Sequence, residues 1–310
     1  MSTEDLTLAE LKARLDAVDY LVDDGLAMAL YLACVLRQPV LLEGEPGVGK
    51  TTAAKALAAA LDAPLIRLQC YEGITAAEAL YEWNYPRQLL SIRLAEAGDR
   101  KVSEADLFST EFLLDRPLLR AVRADTTPVL LIDEIDRADD EFEALLFEFL
   151  GEAAITVPEV GTFRAPRPPI VVLTSNRSRE LHDALKRRCY YHWIEFPSVE
   201  RAAEIVRRRV RGGSAPLVDA ATAFVTQARA LDLDKPPGLA EAIDWVAALH
   251  ALGVTELDEP SVRATLGSIV KTPDDLATVR HALDDGAFDP LLVRDPAAMA
   301  AGSRTRTREG

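Results

Sequence analysis

The run Gly44-Glu45-Pro46-Gly47-Val48-Gly49-Lys50-Thr51 matches G-x-x-x-x-G-K-[ST] in full. Glycines at these positions let the backbone curl so that N–H groups point into an anion-sized hollow. A helix that begins there adds partial positive charge. Lys50 is expected to reach the β- and γ-phosphates of a triphosphate, and Thr51 to offer its hydroxyl to Mg²⁺. Thr52 closes the stretch.

A second group lies in VLLIDEID, Val129 to Asp136. Four apolar residues deliver Asp133 and Glu134 to the C-terminal end of a strand, the edge where open α/β sheets bind ligands. Asp133 is expected to hold Mg²⁺ through its water shell. Glu134 is expected to orient or polarise an attacking water, a role that phosphoryl transfer needs filled. The plainer alternative is an acidic pair that caps a helix. IVVLTSN, Ile170 to Asn176, is a third run ending in a polar residue. Beside the strand carrying Asp133, Asn176 would reach the γ-phosphate or the water; otherwise it caps a turn. In ALKRRCY, Arg187 and Arg188 precede the run HWIEF. A permanently charged, forked guanidinium suits an anionic transition state, with a surface arginine pair as the alternative.

Something must position these residues. From Pro39, short apolar runs (PVLLEG, PLIRLQC, PVLLIDE, PIVVLTSN, HWIEFP) alternate with longer amphipathic stretches. Buried parallel strands with helices between them predict a three-layer α/β domain. Leu6 to Arg37 reads as helical. After Pro197 the strands stop, and SVERAAEIVRRRV opens with Ser198 as an N-cap. Helical segments at Leu217–Leu231, Leu239–Leu252 and Pro260–Ile269 follow, making a smaller all-helical domain. The expected division is 1–37, a helical segment packing on the core; 38–197, the nucleotide-binding α/β domain; 198–290, the helical domain; and 291–310, a tail of disordered composition.

Composition narrows the function classes. With 310 residues, 49 % of them hydrophobic, the chain needs neither disulfide nor metal to complete a core. Cys34, Cys70 and Cys189 are odd in number and show no C-x-x-C spacing, which fits a reducing compartment. The acidic start MSTEDLTLAE has no secretory pattern, and the apolar run Leu26–Leu36 is too short to span a bilayer. A cytoplasmic location without membrane insertion is expected. The net charge of -15 opposes nucleic-acid binding, and the arginines of RRRVR, Arg207 to Arg211, would fan around a helix rather than form a stripe. No N-K-x-D motif is present, which favours ATP over GTP.

With these residues in place, the sequence resembles the AAA+ ATPases of the MoxR family over roughly residues 15–285. DEIDRADDEFEALLFEFL looks like that family's Walker B segment and next helix. AITVPEVGTFRAPRPPIVVLTSN looks like its hairpin leading into sensor 1. CYEGITAAEALYEWNYPRQLL, TSNRSRELHDALKRRCYYHWIEFP and KPPGLAEAIDW look closest to the CoxD-like branch, associated with maturation of molybdenum-containing carbon monoxide dehydrogenases. The resemblance implies Walker A roles for Lys50 and Thr51, Walker B roles for Asp133 and Glu134, and sensor 1 at Asn176. It implies an arginine finger at Arg188, with Arg187 the alternate, acting on a neighbouring subunit. It further implies a homo-oligomeric ring, usually a hexamer, a partner with a von Willebrand A domain, and a client metalloenzyme. DKPPGLAEAIDW lacks the arginine that many AAA+ lids place there as sensor 2, and Lys235 is a possible substitute.

The same resemblance puts Leu80–Leu90 where the MoxR group inserts a loop facing the ring's pore or rim. Tyr81, Trp83 and Tyr85 would share one face on an extended segment, packing either on the subunit's own body or, with Trp83 as anchor, on a partner. Besides a chaperone-like ATPase, two functions stay open: a nucleic-acid motor or loader, and a nucleotide-dependent switch with little turnover.

Overall fold

The computed structural model describes residues 6–97 and 103–293. These fall into two compact units. One comprises the residues up to Gly44 and Lys50–Ile194; the other comprises Glu45–Gly49 and the residues from Glu195 onward.

The first unit is built on five strands: β1 (Val40–Gly44), β2 (Leu65–Gln69), β3 (Val129–Asp133), β4 (Ile170–Ser175) and β5 (Tyr190–Ile194). Their spatial order is β2-β3-β4-β1-β5, and every neighbouring pair is parallel. Every residue of β1, β3 and β4 is buried. That is why these runs are continuously apolar: a parallel strand in mid-sheet has both faces covered. Leu41, Leu130, Ile132, Val171 and Leu173 share one core cluster with Leu118, Phe142 and Leu146. The residues between them, Leu42, Leu131 and Val172, are equally buried. The helix Asp24–Leu36 packs against β4, β1 and β5, and Lys50–Ala60 packs against β1, β3 and β4. A three-layer α/β domain results.

The amino-terminal stretch expected to be helical is two helices, Leu8–Ala17 and Asp24–Leu36. Asp23 stops any continuous helix because its carboxylate caps the second one, accepting the Leu26 N–H at 2.7 Å.

The aromatic stretch differs from a single extended face. Tyr81–Trp83 is a short strand paired with Leu113–Asp115, and a helix, Tyr85–Ala97, then begins with Pro86 in its first turn. Trp83 is 7 % exposed and meets Tyr81 and Phe108 edge to face, so it belongs to this unit's core. Tyr85 is 61 % exposed. A second ribbon pairs Ala154–Val157 with Gly161–Arg164.

The second unit holds helices Val199–Arg209, Ala215–Arg229, Leu239–Ala251, Glu259–Thr265 and Pro273–Asp284. Trp245, Phe224 and Phe288 fill its core, with Phe224 and Phe288 stacked at 4.0 Å and Trp245 donating to Thr265 Oγ1 at 2.7 Å. Ser198 caps the first helix through the Arg201 N–H. The helix Pro273–Asp284 adds to the expected segments; Thr272-Pro273-Asp274-Asp275 carries its start signal, and Thr272 caps it. Within RRRVR, Arg207 pairs with Glu204 and Asp219, and Arg208 pairs with Glu204. Most of the tail expected at 291–310 lies outside the described residues; Leu291 ends a short turn, and Val293 bridges to Asp258.

The three cysteines are free and buried, and burial pushes each thiol up to about 12. Among the described residues, no helix is long and apolar enough to cross a membrane.

Candidate functional site

The phosphate-loop residues leave β1 at Gly44 and enter the helix Lys50–Ala60. Gly47 and Gly49 have φ of +80° and +99°, conformations that L side chains resist. Lys50 is 6 % exposed, and its Nζ donates to the Gly44 carbonyl at 2.8 Å. Burial lowers its pKa, while the carboxylates of Asp136, Asp133, Glu134 and Glu43 oppose that shift. Thr51 and Thr52 are half-buried in the first helical turn.

Asp133 is the last residue of β3 and is 1 % exposed. Its Oδ1 accepts from Thr51 Oγ1 at 2.9 Å and from Thr174 Oγ1 at 2.6 Å. Its Oδ2 accepts from Arg67 Nε at 3.0 Å and Arg67 Nη2 at 2.6 Å. Sheet register produces this convergence. Gln69 of β2 lies opposite Asp133, and Ile132 of β3 lies opposite Leu173 of β4. Arg67 is therefore two residues before the position facing Asp133, and Thr174 follows the last paired position of β4.

Glu134 is left-handed, φ 55° and ψ 50°, a conformation costing a non-glycine residue about 1–2 kcal/mol. Its N–H donates to Thr174 Oγ1 at 2.9 Å, and its carboxylate pairs with Arg137 at 3.1 Å. Such strain persists where surrounding contacts hold it, as this hydrogen bond does.

Asn176 directly follows β4, the strand beside β3, and is half-buried. The hydroxyl that touches Asp133 belongs to Thr174, two residues earlier. Ser175 Oγ and the Tyr191 hydroxyl donate to the buried Glu43 carboxylate at 3.2 and 3.1 Å. Burial, then the Glu43 charge, raises the Tyr191 pKa. Asp136 is also buried and accepts from Ser178 N and Oγ at 2.8 and 2.7 Å. It lines a cleft of about 790 Å³ with Glu72, Arg137 and Arg179.

The two candidate finger arginines are held differently. Arg188 donates to the Ala184 carbonyl at 2.9 Å and lies over the Phe147 ring at 5.0 Å. Arg187 is exposed, and its backbone N–H donates to the Asp183 carbonyl at 3.0 Å. In the second unit, the Lys235 N–H donates to Asp275 Oδ2 at 3.1 Å.

Arg67, Thr174, Glu43 and Asp136 join the expected residues here. Arg67 left no signal of its own, because it occupies the exposed position of an edge strand between the buried Ile66 and Leu68, where an arginine needs no partner. Thr174 left a weak one, as a hydroxyl ahead of Asn176.

A hard divalent cation suits these donors, all oxygen: the Thr51 hydroxyl and the Asp133 carboxylate meet at 2.9 Å. An anion suits the glycine-rich turn with Lys50 at its end.

Comparison with known proteins follows the same outline. Aligned over 277 residues, the chain is 24 % identical to Protein NorQ of Paracoccus denitrificans (strain Pd 1222), covering 87 % of this chain and 93 % of that protein. Domain III of the Thermotoga maritima replication initiation protein DnaA superposes with a TM-score of 0.48 at 15 % identity, covering 82 % of this chain and 96 % of that one. The Thermotoga maritima RuvB Holliday junction branch migration motor gives 0.45 at 19 % identity, covering 84 % and 69 %. Residues 39–189 match the family model described as "AAA domain (dynein-related subfamily)". They span β1 to the residue before β5, including Lys50, Thr51, Asp133 and Asn176. Over these residues, just under half of its length, the chain is similar to AAA domains of the dynein-related subfamily.

Proposed function

We propose that this chain is a MoxR-type ATPase that hydrolyses ATP in a homo-oligomeric ring, a hexamer, to remodel or mature a client enzyme. The carrying observation is the Thr51–Asp133 hydrogen bond at 2.9 Å, which joins motifs 82 residues apart. The likeness to NorQ, itself a MoxR-family protein, supports the chaperone-like role.

In this reading the phosphates lie on Gly44–Thr52, with Lys50 at their β and γ positions. Thr51 and Asp133 would hold Mg²⁺, which when bound offsets phosphate charge. Glu134 aligns the attacking water, and its left-handed backbone, tied to Thr174, fixes where its carboxylate starts from. Asn176 senses the γ-phosphate from the neighbouring strand. Arg188, or Arg187, arrives from an adjoining subunit to stabilise the transition state. Release of that arginine after hydrolysis passes motion to a partner with a von Willebrand A domain, and through it to the client. The CoxD-like segments point to a molybdenum hydroxylase such as carbon monoxide dehydrogenase. A cytoplasmic setting fits that role.

The test is ATP turnover by the purified chain and by Glu134→Gln. The variant is expected to bind ATP and hydrolyse it very slowly. Normal turnover would remove Glu134 from the mechanism, and no ATP binding by the wild type would remove the whole reading. The stalled variant, used as bait in the native host, should retain partner and client.

A further inference from the structure

We propose that Arg67 is a displaceable counter-ion of Asp133, which keeps divalent cations off the nucleotide-free site and gives way when Mg²⁺ and triphosphate arrive together. The inference rests on the nucleotide-binding reading.

Four donors saturate the Asp133 carboxylate. Oδ1 takes the hydroxyls of Thr51 and Thr174, and Oδ2 takes Nε and Nη2 of Arg67. A hydrated cation can approach this carboxylate only if a donor leaves. Thr51 need not, because its oxygen keeps a lone pair for a metal while its proton stays on Oδ1. Thr174 is 1 % exposed and also accepts the Glu134 N–H, so its departure would orphan two buried groups. Arg67 remains.

Exposure decides which partner of the ion pair moves. The Asp133 side chain is 1 % exposed, whereas that of Arg67 is 45 % exposed. The aspartate is fixed at the end of a buried strand; the guanidinium is on the solvent side and can swing out without losing hydration. It has a second acceptor to hand, because Nη2 also donates to Gln69 Oε1. While Arg67 stays, a full positive charge occupies Oδ2 and repels any cation reaching Thr51 and Asp133. Triphosphate brings enough negative charge to make the exchange favourable, so metal and nucleotide would enter as a pair. A permanent structural role would look different: the same ion pair would survive metal and nucleotide binding, because a buried carboxylate loses stability when its partner is removed.

The probe is Mn²⁺, titrated without nucleotide into wild type and Arg67→Gln, with free Mn²⁺ read by electron paramagnetic resonance and folding by circular dichroism. Arg67→Gln is expected to bind Mn²⁺ about tenfold tighter or more, the consequence of removing one nearby like charge. Adding Asp133→Asn should erase the gain. Equal Mn²⁺ affinity in a folded Arg67→Gln protein overturns the inference. A second measurement needs no variant: a structure of wild type with Mg²⁺ and a non-hydrolysable ATP analogue should show Arg67 Nη2 gone from Asp133 Oδ2. If the analogue is bound and both Arg67 bonds persist, this inference alone fails. If the wild type binds no analogue, the nucleotide reading fails with it.

Discussion

Thr174 on β4 donates its hydroxyl to Asp133 on β3 at 2.6 Å, and the same oxygen accepts the Glu134 N–H at 2.9 Å. One buried hydroxyl thus fixes both acidic residues of the motif, one through its side chain and the other through its backbone.

Thr174→Val keeps the shape and removes the hydroxyl. It leaves the Glu134 N–H unsatisfied and takes one donor from Asp133, a loss of about 1–3 kcal/mol. Urea unfolding should show that drop, and ATP turnover should fall with it, while Thr174→Ser restores most of both. Full stability in the valine variant would mean that water replaces the hydroxyl.

Trp83 is core, so Trp83→Ala should cost about 3–5 kcal/mol wherever it is tested. Tyr85→Ala, at the exposed start of the next helix, should leave the melting temperature unchanged. Of the three clustered aromatics, Tyr85 is therefore the one open to a partner. A Trp83→Ala protein with wild-type stability would return that ring to the surface.

His192 gives a pH dependence. Burial depresses its pKa below 6.5, with Asp23 pulling the other way. The unfolded chain then binds the proton more readily than the folded one, so this residue's contribution to stability falls as pH drops from 6.5 through the folded pKa. Above 6.5 both states are neutral and no difference remains. His192→Gln should lose less stability than wild type between pH 8 and pH 5, measured as the shift in urea midpoint. Identical slopes would show that the imidazole does not titrate differently on folding. Gly25 lies against the same ring: a Cβ there would be 2.9 Å from His192 Cε1. Gly25→Ala should therefore destabilise the wild type more than it destabilises His192→Gln.

Arg187 and Arg188 are separable by mixing. Loss of a finger costs about 10³–10⁵ in rate. Arg188→Ala also removes the contact with Phe147, worth about 0.5–1 kcal/mol at an exposed site. A subunit lacking the finger but keeping Lys50, mixed with Lys50→Ala subunits that keep the finger, should regain part of its turnover. The variant rescued in this way identifies the finger. If neither single variant loses activity, neither arginine alone is the finger.

The sequence determined the glycine-rich turn proposed as a phosphate cradle. That cradle is made of contiguous residues, and its chemistry comes from backbone N–H groups, glycine conformations and one helix start, all of which are local. The three central strands were equally legible, because a parallel strand buried on both faces must be apolar along its whole length. The second unit's last helix carries a start signal at Thr272 and Pro273 and an apolar face that includes Val279 and Leu283. What only the tertiary structure decided is which side chains meet Asp133. Arg67 and Thr174 lie 66 and 41 residues away in the chain, and they converge because β3 sits between β2 and β4 in one register. Strand order depends on how helices cross over the sheet, not on any short stretch of residues. The aromatic cluster divides for the same reason: the pairing of Tyr81–Trp83 with Leu113–Asp115 turns Trp83 inward, while the helix that starts at Tyr85 carries that ring into solvent.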